Sequence, residues 1–111
     1  MAEKRVVVTG MGLVTPLGEN LDIFWENLVN GKSGIGPLTL IDPEPHATKI
    51  AGEIKDFDPS KHMDRKEVRR TDRFTQFAMA AADLAVSHSG IDFSKTDRCY
   101  CLFRNWRHDN I

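Results

Sequence analysis

The sequence predicts an α/β fold with the element order strand, helix, strand, helix, helix. Its 111 residues are the length of one ordinary domain. The β-branched run Val6–Thr9 is typical of a strand buried on both faces. Residues 21–29 and 73–89 repeat apolar side chains at intervals of three and four, which predicts one apolar face of a helix in each segment.

The first helix is predicted to begin after Asn20. Asparagine is a preferred N-cap residue, and Asp22 places negative charge in the first turn. Asn30 and Gly31 tolerate the left-handed conformation that ends many helices. Five apolar side chains share one face of this helix: Leu21, Phe24, Trp25, Leu28 and Val29.

The middle of the chain predicts loops and one further strand. Residues 32–37 are rich in glycine and predict a loop, and residues 41–45 contain two prolines and predict a turn. Residues 48–54 predict the second strand, with two isoleucines on one face. Gly52 within this segment weakens the strand or marks a bulge.

Two helices are predicted to follow. Residues 64–70 predict a short charged helix. Asp72 is predicted to cap a longer helix, Arg73–Ser89, which Gly90 ends. Apolar and small side chains and one histidine lie on one side of the longer helix: Phe74, Phe77, Ala78, Ala81, Leu84, Ala85 and His88.

Composition excludes several classes of protein. A formal net charge of −1 excludes binding to nucleic acid or to an anionic membrane that is driven by overall charge. No apolar run approaches the roughly 20 residues of a membrane span, and no secretory signal is recognisable at the start. Cys99 and Cys101 do not suggest a disulfide framework, so a reducing, cytoplasmic location is expected.

The first loop offers a weak nucleotide-binding motif. A strand followed by Gly10 and Gly12 is similar to the start of a dinucleotide-binding loop. However, Thr15 stands where the third glycine belongs, and the next helix begins too late to point at a pyrophosphate. The alternative is that Gly10, Gly12 and Gly18 let the chain turn tightly.

The clearest candidate for binding a partner is a group of four basic residues: Arg65, Lys66, Arg69 and Arg70. On a helix they pair at i,i+4 spacing and share one side. Residues 61–73 carry six basic and three acidic side chains, a local charge of +3. Such a group is either a solvated face or a docking surface for an acidic partner, and the sequence favours neither strongly.

No catalytic, cofactor-binding or metal-binding set is recognisable. Cys99, Cys101 and His108 match no common zinc spacing, and the other histidines have no serine or carboxylate in a triad-like pattern. No P-loop, Gly-x-Ser-x-Gly or His-Glu-x-x-His motif is present. No cofactor or metal is therefore expected.

The chain resembles a β-ketoacyl-[acyl-carrier-protein] synthase of type II over residues 3–98. Many short blocks occur in the order and spacing of that family, which makes the resemblance specific. The blocks are residues 4–12, 15–18, Trp25, 31–35, 51–52, 55–57, 64–67, 69–70, 72–78 and 89–91.

The resemblance implies that this chain is the N-terminal portion of a thiolase-like fold. It also implies that the complete enzymes of the family work as homodimers. The implied reaction is a decarboxylating Claisen condensation, in which malonyl-carrier protein elongates an acyl chain held on a cysteine. In the family that cysteine and two histidines lie beyond residue 111, so we predict that this chain alone is inactive. The resemblance implies no cofactor.

The resemblance also assigns a partner. The positions of Lys66, Arg69 and Arg70 help to dock the acidic acyl carrier protein in this family, and Arg65 is adjacent. A non-catalytic module that binds acyl carrier protein is an alternative function. A small nucleotide-binding domain is a third and weaker one.

Residues 99–111 depart from the family pattern. An apolar strand and a glycine-rich turn are expected there, whereas the sequence is rich in rare residue types. Read one base later, the possible codons permit Val-Ile-Val-Phe-Ser-Gly-Thr-Gly-Gly-Thr-Thr-Thr. Residues 1–98 are therefore predicted to be synthase sequence, and residues 99–111 a divergent, frameshifted tail. A short protein with its own tail is the alternative.

Overall fold

A computed structural model describes residues 3–92. These residues form three α-helices, one 3-10 turn and a two-stranded antiparallel sheet. In chain order the elements are α1 (Leu21–Val29), β1 (Ile35–Pro37), β2 (Ile50–Gly52), the 3-10 turn (Pro59–Lys61), α2 (Arg65–Arg70) and α3 (Arg73–Ser89).

The predicted first helix is confirmed as α1. The Asn20 side chain accepts a hydrogen bond from the Asp22 amide at 2.8 Å, as an N-cap should. Asn30 lies at the C-cap, and Gly31 follows with a φ of +68°. Much of the predicted apolar face is open, since Trp25 is 65% exposed.

The predicted strand over Val6–Thr9 is not formed. These residues have no regular secondary structure, and Val6 and Val8 are 92% and 82% exposed. A strand gains its backbone hydrogen bonds from a neighbour. No strand among residues 3–92 lies beside this segment, so its apolar side chains are not covered.

The sheet corrects the prediction for the middle of the chain. Strand β1 lies within the segment predicted to be a loop, and it pairs with β2, which is shorter than the predicted strand over residues 48–54. The partners are Ile35 with Gly52, Gly36 with Ala51 and Pro37 with Ile50. Proline has no amide hydrogen to donate, which limits the ladder on one side.

Helices α2 and α3 lie where the sequence predicts them. Gly90 ends α3 in the left-handed conformation, with a φ of +64°. Asp64 and Asp72 occupy the two N-cap positions, but neither side chain makes a capping hydrogen bond. The position predicted for Asp72 is therefore confirmed, and the predicted bond is not formed.

The small apolar core lies where α3 meets the segment after β2. Phe57 is 8% exposed, and its ring meets the edge of Phe77 with 4.9 Å between ring centroids. Ala80 is fully buried one turn further along α3. The Arg73 guanidinium lies 5.1 Å from the centroid of the Phe77 ring and donates to the Ile54 carbonyl. These contacts hold residues 54–57 against the first half of α3.

Candidate functional site

The four basic residues predicted from the sequence lie together on α2, and we call them the basic face: Arg65, Lys66, Arg69 and Arg70. All four are exposed. Within residues 3–92 none of their side chains makes an ion pair or a hydrogen bond. Their positive charge is therefore directed to solvent and is available to an anionic partner.

The charges of the basic face oppose one another. Two pairs of like charge stand at i,i+4 spacing, and each such pair destabilises a helix by about 0.2–0.5 kcal/mol. Glu67 is the one acidic residue within α2. Arg69 and Arg70 lie in the last turn, where the helix dipole favours positive charge. A negatively charged surface placed against this helix would relieve the repulsion.

The segment before α2 is held to α3 by one polar contact. His62 Nδ1 lies 2.8 Å from a carboxylate oxygen of Asp83 on α3. In the 3-10 turn, Asp58 accepts hydrogen bonds from the Ser60 hydroxyl and amide, and these bonds lower the pKa of Asp58 below its ordinary value. The segment that leads into α2, and so into the basic face, is therefore fixed to α3 at His62.

Gly10 and Gly12 permit a close approach of the chain to α3. A Cβ atom at Gly10 would lie 2.3 Å from the Ala85 carbonyl oxygen, and one at Gly12 would lie 2.1 Å from the Ala81 carbonyl oxygen. Neither glycine has a positive φ, whereas Gly18 has one of +150°. The predicted turning role is therefore confirmed for Gly18 and wrong for the other two.

The surroundings of Gly12 oppose a nucleotide site. The adjacent cavity, of about 230 Å³, is lined by Glu19 and Asp22, whose carboxylates would repel a pyrophosphate. The Met11 amide also donates to His88 Nδ1 of α3 at 3.0 Å, so this amide of the loop is already hydrogen-bonded and does not face a phosphate. The motif is explained by packing of the loop against the helix.

Sequence reasoning missed a second polar cluster, around Glu53. Its carboxylate accepts hydrogen bonds from the amides of Thr39 and Leu40, each at 2.8 Å, and from the Thr39 hydroxyl at 2.7 Å. These bonds, led by the one from Leu40, lower the pKa of Glu53 to about 2, with a small contribution from Lys55. Nothing in the sequence signals this pairing, because it depends on the register of β1 and β2.

The described residues hold no candidate metal centre. Within residues 3–92 no group of three or more histidine, cysteine, aspartate or glutamate side chains is placed to hold a metal ion. Cys99, Cys101 and His108, which the sequence offered as a weak metal-binding set, lie outside the described residues. No helix in the described part is long and apolar enough to cross a membrane.

Comparison with known proteins identifies the family. Residues 3–102 match the family described as "Beta-ketoacyl synthase, N-terminal domain". The 3-oxoacyl-[acyl-carrier-protein] synthase 2 of Staphylococcus aureus strain COL is 47% identical over 92 residues, which cover 83% of this chain and 22% of that protein. The synthase of the same name from Synechocystis is 46% identical over 87 residues, which cover 78% and 21%.

A solved structure shows the same relationship. The ishigamide ketosynthase/chain length factor superimposes with a TM-score of 0.75 and 32% sequence identity over 84% of this chain and 23% of its own. The fold is therefore the N-terminal part of a thiolase-like fold, and the chain spans about a fifth of the length of the curated relatives that it matches. The chain belongs to the β-ketoacyl synthase family, through its N-terminal domain.

Proposed function

We propose that this chain provides the N-terminal portion of a 3-oxoacyl-[acyl-carrier-protein] synthase in fatty-acid elongation. The family match and the names of the relatives support this assignment. The reaction is the decarboxylating condensation of a malonyl carrier with an acyl carrier. The catalytic cysteine and the two histidines belong to the remainder of such an enzyme, as does the pairing of two copies into a homodimer.

We propose that the basic face docks the acyl carrier protein. The observation that carries this proposal is a set of four exposed cations without a partner among residues 3–92, on a chain of net charge −1. The names of the relatives state that they synthesise a 3-oxoacyl-[acyl-carrier-protein]. An acidic carrier surface would gain favourable charge pairs and relieve the repulsion within α2.

Charge reversal tests the docking proposal. Arg70→Glu in the full chain is expected to weaken binding of acyl carrier protein about tenfold at low ionic strength, and added salt should weaken binding of the unaltered chain. Lys32→Glu is the matched control, since Lys32 is exposed and lies outside the basic face. Equal dissociation constants for the two variants, measured by titration calorimetry, would show that the basic face is only a solvated surface.

A second candidate function is a module that binds acyl carrier protein without chemistry. It is favoured by the fact that the basic face lies within the described residues. A cooperative unfolding transition of the chain alone, together with salt-sensitive carrier binding, would favour this module. Binding without independent folding would favour the portion of a larger synthase.

We propose that residues 1–98 are synthase sequence and that residues 99–111 are translated from a shifted frame. The support is the loss of the family's glycine-rich pattern after Arg98 and the codon arithmetic given above. The nucleotide sequence of the locus tests this proposal. A synthase body with its cysteine and two histidines in another frame is expected downstream, and its absence would favour a short protein with its own tail.

A further inference from the structure

Helix α2 is too weak to hold the basic face in place by itself. It has six residues, whereas isolated helices shorter than about 12–15 residues are marginal in water. Its N-cap residue, Asp64, makes no capping hydrogen bond, and its two like-charge pairs oppose the helix. The α2 conformation must therefore depend on contacts with neighbouring elements.

One side chain of α3 supplies such contacts at the C-terminal end of α2. The amide nitrogen of Gln76 donates to the Val68 carbonyl at 3.0 Å and to the Thr71 carbonyl at 3.1 Å. The Thr71 hydroxyl donates to the Glu67 carbonyl at 2.7 Å. The last carbonyl groups of a helix have no partner within it, so these bonds satisfy acceptors that would otherwise need water.

The chemistry of these contacts fits glutamine closely. A primary amide has two hydrogens on one nitrogen, and the Gln76 nitrogen has two carbonyl acceptors. An oxygen in the same place would face two carbonyl oxygens, which fixes the orientation of the amide. Gln76 lies in the half of α3 that is anchored by Phe77 and the buried Ala80. Helix α3, through Gln76, therefore holds the C-terminal end of α2 by hydrogen bonds.

We propose that Gln76 is a positioning residue for the basic face. Its amide fixes the C-terminal turn of α2 against α3, and with that turn the backbone that carries Arg69 and Arg70. The structural part of this proposal stands on the hydrogen bonds alone. Only its consequence for carrier binding rests on the proposed function of the basic face.

The test measures the helical population of α2 by Cα chemical shifts of residues 65–70, in the full chain at a concentration where sedimentation shows a monomer. Gln76→Leu keeps a side chain of similar size and removes both donors. We expect it to lower the helix–coil equilibrium constant of α2 about tenfold, while residues 80–88 of α3 keep their helical shifts. The matched control is Ser87→Ala, at an exposed position near the far end of α3 from α2.

A second variant distinguishes a donor from a space-filling side chain. In Gln76→Glu a carboxylate faces the two carbonyls, so α2 should lose its helical shifts at neutral pH. At a pH low enough to protonate the glutamate, the carboxyl regains one donor and should recover part of the helix. A role in packing alone would give no such recovery relative to Ser87→Ala at the same pH.

Three results would overturn the proposal. They are unchanged shifts at residues 65–70 in Gln76→Leu, equal loss of α2 and α3 in both Gln76 variants, and no helical shifts at residues 65–70 in the unaltered chain. Carrier affinity is measured separately on the same samples. If α2 unwinds in Gln76→Leu while carrier affinity is unchanged, the positioning of α2 stands and its consequence for carrier binding fails. The docking function itself is judged by Arg70→Glu.

Discussion

Individual residues show which sequence signals determine the structure. Gly12 is read from sequence as part of a nucleotide loop or a tight turn, yet its role is to leave room for the Ala81 carbonyl. That role depends on α3, almost 70 residues later in the chain, so no local pattern contains it. Asn20 and Gly90 have local roles, at the start of one helix and the end of another, and both were predictable.

Substitution of Gly12 tests the close approach. In Gly12→Ala the new methyl group would meet backbone of α3, which cannot move aside as a flexible side chain can. We expect a loss of about 1–3 kcal/mol in the free energy of unfolding, measured by urea titration with circular dichroism in a synthase whose matched N-terminal segment is replaced by this chain. Gly36→Ala is the control, because no atom lies within 4 Å of its Cβ position. Equal effects of the two substitutions would contradict the packing role.

Glu53 predicts a dependence of stability on acid. Its folded pKa of about 2 lies below the ordinary 4.5, so the charged form stabilises the fold above pH 4.5. That contribution is lost as the pH falls from 4.5 to 2 and the carboxylate takes up a proton. The amide shifts of Thr39 and Leu40 should follow the same change. Glu53→Gln should reduce this loss of stability, and an unchanged acid profile would contradict the role of the cluster.

The elements differ in how far the sequence determines them. Helices α1 and α3 carry their own capping residues and apolar periodicity, so their bounds were predictable. Strand β1 was not, because a short segment with glycine and proline becomes a strand only through its pairing with β2. The apolar run Val6–Thr9 has a strong strand signal and forms no strand among the described residues. Strand β1 forms because it has a neighbouring strand to pair with, and the Val6–Thr9 run does not because no strand among the described residues lies beside it.

The contact between α3 and the segment after β2 contains Phe57, the one buried aromatic side chain among the described residues. Phe57→Ala removes a ring that is 8% exposed and leaves the edge of Phe77 without its neighbour. Truncation of a buried phenylalanine costs about 3–5 kcal/mol, so the hydrogen exchange of α3 amides should accelerate sharply. Phe74→Ala, at a residue that is 50% exposed, should have a smaller effect. Equal acceleration in both variants would contradict this assignment of the core.

At the scale of the whole molecule, the dominant feature is that many large apolar side chains are exposed to solvent. Among the described residues, the buried hydrophobic set contains only Phe57 and Ala80. Large apolar side chains are open along the first segment and α1, including Val6 at 92% and Val29 at 66% exposure. Monomeric proteins rarely expose large contiguous apolar surfaces. In the proposed synthase, these side chains would pack within a larger α/β body.

This surface predicts the behaviour of the 111-residue polypeptide alone. Each large side chain gains about 1.5–3 kcal/mol when it is fully buried, so self-association is favoured where no other cover is available. Sedimentation velocity should show mass that increases with concentration, and a dye that binds apolar surface should fluoresce strongly. Trp25→Lys should reduce both signals. A compact monomer at all concentrations with a sharp thermal transition would contradict the expectation.

A chimeric enzyme tests the central claim most directly. The matched 92-residue segment of the Staphylococcus aureus synthase is replaced by the corresponding residues of this chain, and malonyl-dependent condensation is measured. If these residues are the N-terminal portion of a condensing enzyme, the chimera should fold and retain condensation, and Arg70→Glu within it should raise the KM for the acyl carrier substrate. A folded chimera without condensation, beside an active parent enzyme, would contradict the claim.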